Sequence, residues 1–525
     1  MTSTTSTTNE LIRLSASEMA RQIAAGNLTS RELVEAHIQR IESVNPRLNA
    51  VVVPLFAQAR GEADLADQAR ARGELLGPLH GVPITIKECF HISGTPATEG
   101  IGRFADEIMT ADAPLVRRLR RAGAIVLGKT NVPQLMLLHE TDNPVYGRTN
   151  NPWNLDRSPG GSSGGEAAII AAGGSPLGLA NDLGGSIRQP AHSCGICGIK
   201  PTSGRLTNAG VRANLTGMEA ILPQAGALAR NVEDLYLALE ALTTLEPGEI
   251  DLQMAPVPLG NPAQIDVARL RIGVWSDDGY FSASPALRRA VGEAADALRN
   301  LGAHVEPFQP PGVARAVALY FGLLSADGAA DAVRLLGGSP RDWRIRRLVL
   351  LGRCPVWLRR VLSSGLRAFG QKRTAGLIET IGRLSADQYW QLSAARVQYA
   401  ERFFAAWGAQ HLDAVICPPH SLPALRHGST EHLAVAASYC YWANVLGVPA
   451  GVVPATSVRA GEETDRAAGR DMVDRAASRV ELGSVGLPVG VQVAAARWRE
   501  DIVLAVMAAL ESHFRQQTDF PTTPV

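Results

Sequence analysis

Two glycine runs, each holding a serine, constrain the fold of this chain more than any other feature. The first reads SPGGSSGG over residues 158–165, and the second, NDLGGSIRQP, contains Ser186, twenty-four residues after Ser162. Glycine loses more conformational entropy on folding than any other residue, so clustered glycines indicate backbone with unusual dihedral angles or a close approach to a neighbour. Each run is therefore predicted to hold its serine on closely packed backbone.

Helix and strand patterns alternate along the rest of the chain. PITIKECF at 83–90 reads as a strand, with Ile84 and Ile86 on one face and Thr85 and Lys87 on the other. A helical pattern and a second apolar strand follow it. This alternation favours an α/β fold.

Capping boxes predict two helices near the start of the chain. Ser15-x-x-Glu18 opens the first, and Thr29-x-x-Glu32 opens the second, which we expect to end near Pro46.

Composition and charge argue against several classes of protein. The net charge of +1 gives no general attraction to nucleic acid. The sequence has no signal-peptide pattern and no run of 18 apolar residues, so we expect a cytoplasmic protein without a transmembrane segment. Six cysteines are too few for a disulfide scaffold. Cys194 and Cys197 have the spacing of a metal or redox pair but lack a second pair, so buried small side chains are the favoured interpretation.

Lysine is rare in this chain. Only four of the 51 basic Lys and Arg residues are lysines, and one of them is Lys87. Lysine can lose its proton where arginine cannot, which makes Lys87 a candidate base.

Two motif matches point to other functions. Residues 123–130 satisfy the P-loop pattern, but the residues between its glycines are Ala-Ile-Val-Leu, which predict a strand and not a phosphate-binding loop. G-x-S-x-G around Ser162 and Ser163 is similar to the nucleophile elbow of α/β-hydrolases. That elbow follows a buried strand, whereas the preceding NNPWNLDRSPG is polar and broken by proline.

The chain resembles the amidase signature family over most of its length. The signature block is matched over residues 160–202, with Ser162 and Ser186 at the family's spacing and Lys87 in its G-x-P-x-x-x-K motif. GKTNVPQ, ICPP, GVPAGVVPA and GLPVGVQV are similar as well, whereas roughly 310–400 is not covered. In motif the chain is closest to the soluble bacterial amidases and the fatty acid amide hydrolase-like branch.

The resemblance implies a central mixed, twisted β-sheet covered by helices on both faces. We expect a flexible tail over residues 1–10 and one domain over 11–525, with a catalytic core at about 75–230 and a helical insertion at about 313–408. Within the insertion, residues 341–373 carry ten Arg or Lys and one Asp among apolar segments. Such a stretch fits a lid, a membrane-contacting surface or a solvated helix face, and the sequence leaves these open.

A mechanism follows from three of these residues. An ordinary lysine, with a pKa of about 10.4, is a poor base at neutral pH, but an apolar environment lowers that value. Neutral Lys87 would take a proton from Ser162, which would deprotonate Ser186, the nucleophile that attacks an amide carbonyl. The same chain reversed would protonate the leaving amine, so no metal or cofactor is needed.

The resemblance assigns further roles to the two glycine runs. Ser162 should follow a non-proline cis peptide bond. The oxyanion hole should consist of the backbone N–H groups of four consecutive residues, which are Leu183, Gly184, Gly185 and Ser186.

The acyl pocket is expected along the apolar segment at 134–138, with Met136, Leu137 and Gly161 contacting the substrate. The predicted activity is hydrolysis of amides with an apolar acyl or aryl group by a monomer or homodimer, with esters, anilides and carbamates as further candidate substrates. The alternative is the glutamine-hydrolysing subunit of a tRNA-dependent amidotransferase, which would need partner chains and a polar pocket. Apolar core is the competing interpretation of 134–138.

Overall fold

A computed structural model describes residues 9–212, 215–245, 252–467 and 469–522. Residues 1–8 of the predicted tail lie outside this part of the chain, and residues 9–11 are helical. The predicted tail therefore does not reach residue 10.

The described chain is organised around one eleven-stranded sheet and a separate two-stranded hairpin. The order across the large sheet is β1-β3-β2-β6-β8-β7-β12-β13-β11-β9-β10. The strands are β1 Val51–Pro54, β2 Pro83–Lys87, β3 Ile125–Thr130, β4 Asp142–Asn143, β5 Gly147–Arg148, β6 Leu177–Asp182, β7 Cys197–Lys200, β8 Gln224–Ala229, β9 Arg271–Val274, β10 His304–Pro307, β11 Ala414–Cys417, β12 Ala450–Ser457 and β13 Pro488–Ala495.

Parallel and antiparallel pairings are mixed in this sheet, as expected. β2 is parallel to both β3 and β6, β6 is antiparallel to β8, and the late strand β12 is antiparallel to β7. The α/β fold class is confirmed.

Helices occupy both faces of the sheet. They are α1 Ala16–Ala24, α2 Ser30–Leu48, α3 Phe56–Ala71, α4 Pro114–Arg121, α5 Gly164–Ala171, α6 Arg188–Cys194, α7 Val232–Thr243, α8 Pro285–Asn300, α9 Val313–Leu324, α10 Ala330–Leu336, α11 Trp343–Gly352, α12 Val356–Ala368, α13 Lys372–Thr380, α14 Ala386–Ala409, α15 Thr430–Leu433, α16 Ser438–Leu446, α17 Met472–Glu481 and α18 Glu500–Phe514.

The strands separate two hydrophobic cores because successive side chains of a strand point to opposite faces. In β3, Ile125 and Leu127 pack into a core with α2, α3 and α5, whereas Val126 packs into the larger core with α4, α7 and α8. The apolar residues Ile84 and Ile86 of β2 lie in the larger core. Thr85 and Lys87 consequently face α5 on the other side.

The N-terminal helices begin where the capping boxes predict. The Thr29 side chain accepts the Glu32 N–H and the Glu32 carboxylate accepts the Thr29 N–H, which completes the box. The second helix continues through Pro46 to Leu48, so the expected end was two residues too early. Proline has no N–H to donate to the carbonyl four residues earlier, that of Glu42, and the helix ends two residues later.

The expected insertion is helical and contains α9 to α14. None of the described helices is long and apolar enough to span a bilayer.

Candidate active site

Lys87, the last residue of β2, is buried under α5 and the loop before it. Its side chain is fully buried, and Nζ donates to Ser162 Oγ at 2.7 Å and to Asn181 Oδ1 at 2.6 Å. Burial lowers the pKa of Lys87 to about 8, although nearby acidic groups raise it. A large fraction of this amine is therefore neutral in mildly alkaline solution.

Ser162 is held by a tightly packed loop between residue 158 and α5. The Gly161–Ser162 peptide bond is cis, as expected. A Cβ at Gly161 would lie 2.4 Å from the Leu138 carbonyl oxygen, and one at Gly160 would lie 2.3 Å from Gln189 Oε1. The first run is rich in glycine because larger residues would collide with neighbouring backbone and side chains.

The second run lies directly beside the first. Ser163 N–H donates to the Ser186 carbonyl at 3.2 Å, which joins the two serine loops. Ser186 is 7% exposed, and its hydroxyl has no hydrogen-bond partner among the described residues. The Ser186 hydroxyl is thus free to meet a bound molecule.

A buried ion pair fixes the Ser186 loop. Asp182 accepts the N–H groups of Gly185 and Ile187, the two neighbours of Ser186, at 2.8 and 3.1 Å. Its other partner is Arg188, at 3.0 Å, and neither side chain is exposed. Burial would raise the pKa of Asp182, but the charge of Arg188 outweighs it and lowers that pKa. Arg188 also donates to Gln492 Oε1 on β13, so the loop is anchored to the middle of the sheet.

Three of the four expected oxyanion donors are free in this structure. Within the described chain, the N–H groups of Leu183, Gly184 and Ser186 have no acceptor. The N–H of Gly185 donates to Asp182, so this residue does not offer a free donor as expected. Gly185 has φ +108°, a conformation that side-chain-bearing residues rarely adopt.

Both serines line one small cavity of about 60 Å³, which we call the inner cavity. Its walls also include Met136, one of the predicted substrate contacts, and Asn181. Met136 and the preceding Leu135 both have positive φ, of 53° and 59°. Strained backbone of this kind is concentrated at functional sites.

A second space of about 210 Å³, which we call the outer cavity, lies between the insertion and the 137–139 segment. Predicted contact Leu137 lines it with Leu138 and His139. Its insertion-side walls are mostly apolar and include Tyr320, Phe321, Leu348, Leu351, Leu377, Ile378 and Ile381. A more open groove of about 290 Å³ lies between residues 215–218 and α9 and α14, and no predicted site residue lines it.

Two residues of the outer cavity, His139 and Tyr320, contact Gly184, which lies two residues before Ser186. His139 Nε2–H donates to the Gly184 carbonyl at 3.1 Å, and a Cβ on Gly184 would lie 2.0 Å from Tyr320 Oη. Tyr320 stacks on Tyr441 with ring centroids 4.2 Å apart. The insertion therefore contacts the backbone beside Ser186.

Buried polar contacts attach the insertion to the same region. Arg344, on α11, is 3% exposed and pairs with the buried Glu140 at 2.8 Å. Gln134, also fully buried, donates to the Pro340 carbonyl at 2.9 Å and accepts the Asp342 N–H at 2.9 Å. These contacts bracket segment 134–140 at both ends.

Histidines near the motifs form hydrogen bonds with backbone groups. His192 binds the Leu422 carbonyl and the Gly490 N–H, and His80 binds the Ala66 carbonyl. Burial lowers the pKa of both His139 and His192 to about 4. Each of these two is a neutral packing residue at physiological pH.

The structure also locates the P-loop match and the Cys194–Cys197 pair. The P-loop match forms strand β3, as its apolar residues predicted. Cys194 and Cys197 are buried and free, and the described residues contain no group of three potential ligands able to hold a metal ion.

Comparisons with known proteins identify the family of this chain. The sequence profile of the amidase family matches residues 32–504. The chain belongs to the amidase signature family. Fatty-acid amide hydrolase 1 of Sus scrofa is 36% identical over 506 residues, which are 95% of this chain and 86% of that protein. One subunit of the glutamyl-tRNA(Gln) amidotransferase of Deinococcus radiodurans is 31% identical over 521 residues, covering 96% of this chain and 98% of that one.

The fold comparison agrees. The solved structure of a fatty acid amide hydrolase matches this amidase with a TM-score of 0.83 at 26% identity, covering 96% of this chain and 86% of that one. Together these similarities show that this amidase is an enzyme that hydrolyses amide C–N bonds.

Sequence reasoning missed several residues of this site. Two of them, Asn181 and Asp182, lie in the run NDLGGSIRQP. Asp182 and Arg188 have opposite charges and flank Ser186 in a glycine loop, which was an available signal. Glu166, fully buried in α5, was not found either; Thr85 and Thr130 donate to it, and burial raises its pKa to about 7. Nothing in the sequence marks it, because only the fold places it beneath Lys87.

Proposed function

We propose that this amidase hydrolyses amides with an apolar acyl or aryl group through an acyl-enzyme on Ser186, with Lys87 and Ser162 moving the protons. The observation that carries the proposal is the 2.7 Å contact between Lys87 Nζ and Ser162 Oγ in a fully buried setting. It puts a readily deprotonated amine within proton-transfer distance of one serine, and the inner cavity contains both serines.

In the first step, neutral Lys87 takes the Ser162 proton while Ser162 takes the proton of Ser186. Ser186 Oγ then bonds to the carbonyl carbon, and the carbonyl oxygen becomes an oxyanion. The free N–H groups of Leu183, Gly184 and Ser186 are the donors available to it, while Asp182 holds Gly185 in place. Donors fixed in advance stabilise such charge without reorganisation.

The proton chain then runs in reverse. Ser162 gives its proton to the leaving nitrogen and is reprotonated by the Lys87 ammonium, so the C–N bond breaks and an ester to Ser186 remains. Water attacks this ester while the same pair accepts its proton, which releases the carboxylic acid and restores the Ser186 hydroxyl.

The substrate class follows from the outer cavity. Its walls at Leu137, Leu138 and the insertion are mostly apolar, and burying apolar surface contributes about 25 cal/mol per Å². The insertion is proposed as a fixed wall of this cavity, because Arg344 and Glu140 form a buried pair that hinged opening would have to break.

Labelling with a fluorophosphonate and an amide panel test the proposal. We expect the probe to attach to Ser186, and Ser186→Ala to lose turnover of long-chain amides and p-nitroanilides by at least about 1000-fold. Near-normal turnover by Ser186→Ala, or attachment of the probe to another residue, would contradict the mechanism.

The same panel of amides distinguishes this proposal from the alternative, a glutamine-hydrolysing subunit of an amidotransferase. It predicts preference for glutamine over an apolar amide, and dependence on partner chains. Faster hydrolysis of glutamine than of an apolar anilide by the isolated chain would refute the substrate class but not the nucleophile.

A further inference from the structure

We propose that Asn181 is a positioning residue that turns the Lys87 amine toward Ser162. The inference rests on the proposed proton chain and adds a residue to it. Asn181 lies on β6, the strand beside β2, and lines the inner cavity with both serines.

One residue supplies two of the three acceptors around the amine. Asn181 Oδ1 lies 2.6 Å from Lys87 Nζ, and the Asn181 carbonyl oxygen lies 3.5 Å from it. The third neighbour is Ser162 Oγ at 2.7 Å. Asn181 is 5% exposed, so water does not readily replace it as a partner.

This arrangement suits both protonation states of the amine. A neutral amine has two N–H groups and one lone pair, and only the lone pair can take the Ser162 proton. When both N–H groups donate to Asn181, the lone pair faces Ser162 Oγ. After proton transfer the third N–H of the ammonium points at Ser162, ready to return the proton.

The amide presents its oxygen to the amine. Its Nδ2 lies 3.8 Å from Cys89 Sγ, a long contact to a weak acceptor, while Oδ1 faces the amine. The main chain is fixed because Asn181 pairs with Ala225 in the antiparallel β6–β8 ladder. The amide oxygen is therefore positioned before substrate binds.

A neutral acceptor also preserves the basicity that the mechanism needs. Four titratable groups face Lys87 from the surrounding elements and raise its pKa, and they are Cys89, Asp182, Glu99 and Glu166. Burial outweighs them and keeps that pKa at about 8. A carboxylate at position 181 would add a full negative charge in direct contact and stabilise the ammonium.

The test is the pH dependence of kcat/KM for Asn181→Asp and Asn181→Ala beside the wild type. We expect Asn181→Asp to move the acid limb upward by about one pH unit or more. We expect Asn181→Ala to lower kcat about 10- to 100-fold with little change in KM, because base alignment is lost while the substrate walls remain. The near-isosteric Asp variant keeps the test valid if Asn181→Ala does not fold.

Asn261→Asp is the matched control, because Asn261 is exposed, lies outside both cavities, and accepts the Ala263 N–H in a way that an aspartate preserves. Its acid limb should stay within a few tenths of a pH unit of the wild type. An acid limb that does not move in Asn181→Asp, or an equal shift in Asn261→Asp, would refute the positioning role. Activity in Ser186→Ala would instead refute the underlying mechanism, so the two failures are distinguishable.

Discussion

The two serine loops contribute to the inner cavity, whereas helices of the insertion contribute much of the outer cavity. Asp182 and Arg188 fix the Ser186 loop beside the inner cavity, and glycines allow the two serine loops to pack closely. Apolar side chains form most of the outer cavity, and many of them come from helices far along the chain. The serine loops of the inner cavity are therefore placed by main-chain geometry, whereas the apolar wall of the outer cavity depends on side-chain size.

This difference separates the residues that carry out the reaction from the residues that select the substrate. A change in the inner cavity alters groups that act on every substrate, so it should lower kcat for all amides. A change in the outer cavity alters contacts that only large acyl groups reach, so it should raise KM selectively. Substitutions in the two cavities are therefore expected to differ both in size of effect and in selectivity.

Loss of the Lys87 amine should have the largest effect. Lys87→Ala is expected to lower kcat about 100- to 10,000-fold for short and long substrates alike, the range for loss of a general base. In the wild type, only the neutral amine is active, so kcat/KM should rise about tenfold per pH unit below a pKa of about 8 and level off above it.

Lys372→Ala is the control, since Lys372 lies at the start of α13, outside both cavities. Rates within about twofold of the wild type are expected for it. A wild-type profile that is flat from acid to mildly alkaline pH would contradict the assignment of Lys87 as the base.

A side chain at position 184 should have the next largest effect. We expect it to lower kcat about 100-fold, comparable to loss of one oxyanion donor. In Gly184→Ala the added methyl would meet Tyr320 Oη at 2.0 Å, and the stacking of Tyr320 on Tyr441 opposes its retreat. Steady-state kinetics with a short and a long amide measure the effect.

Gly292→Ala, in helix α8 with open space around its Cβ position, is the matched control. Removing the collision in the double variant Gly184→Ala/Tyr320→Ala should restore part of kcat. If the double variant is no faster than Gly184→Ala, contact with the insertion is not the cause.

Shortening an outer-cavity side chain should have the smallest effect and the most selective one. Leu137→Ala is expected to raise KM about tenfold for a long acyl or aryl amide and to leave an acetyl amide within about twofold. The exposed Leu65, on α3, supplies Leu65→Ala as the control. Equal losses for both substrates would show that the cavities are not separable in function.

Much of the inner cavity was predictable because its signals are local. The alternation at 83–87 correctly placed Lys87 opposite Ile84 and Ile86, and apolar residues identified β3 as a strand. The α/β class followed from the alternation of helices and strands, and the family from motif spacing. The roles of Met136, Leu137 and Gly161 in substrate binding stay predictions, although the first two line cavities.

The missed features depend on residues far apart in the sequence. Arg188 reaches Gln492, 304 positions away, and Arg344 reaches Glu140 across 204. The loss of Gly185 as a free donor is different, because Asp182 lies only three positions before it, and what the sequence does not reveal is the direction in which the Asp182 carboxylate points.

The sequence by itself determined which residues could perform the reaction, because a scarce lysine on an apolar strand and serines in glycine runs are local patterns with a direct chemical meaning. Only the tertiary structure decided how the amine is oriented, which backbone donors stay free and what encloses the substrate. Those properties arise from burial and from contacts between distant segments, and both exist only once the sheet has brought β2, β6 and the insertion together.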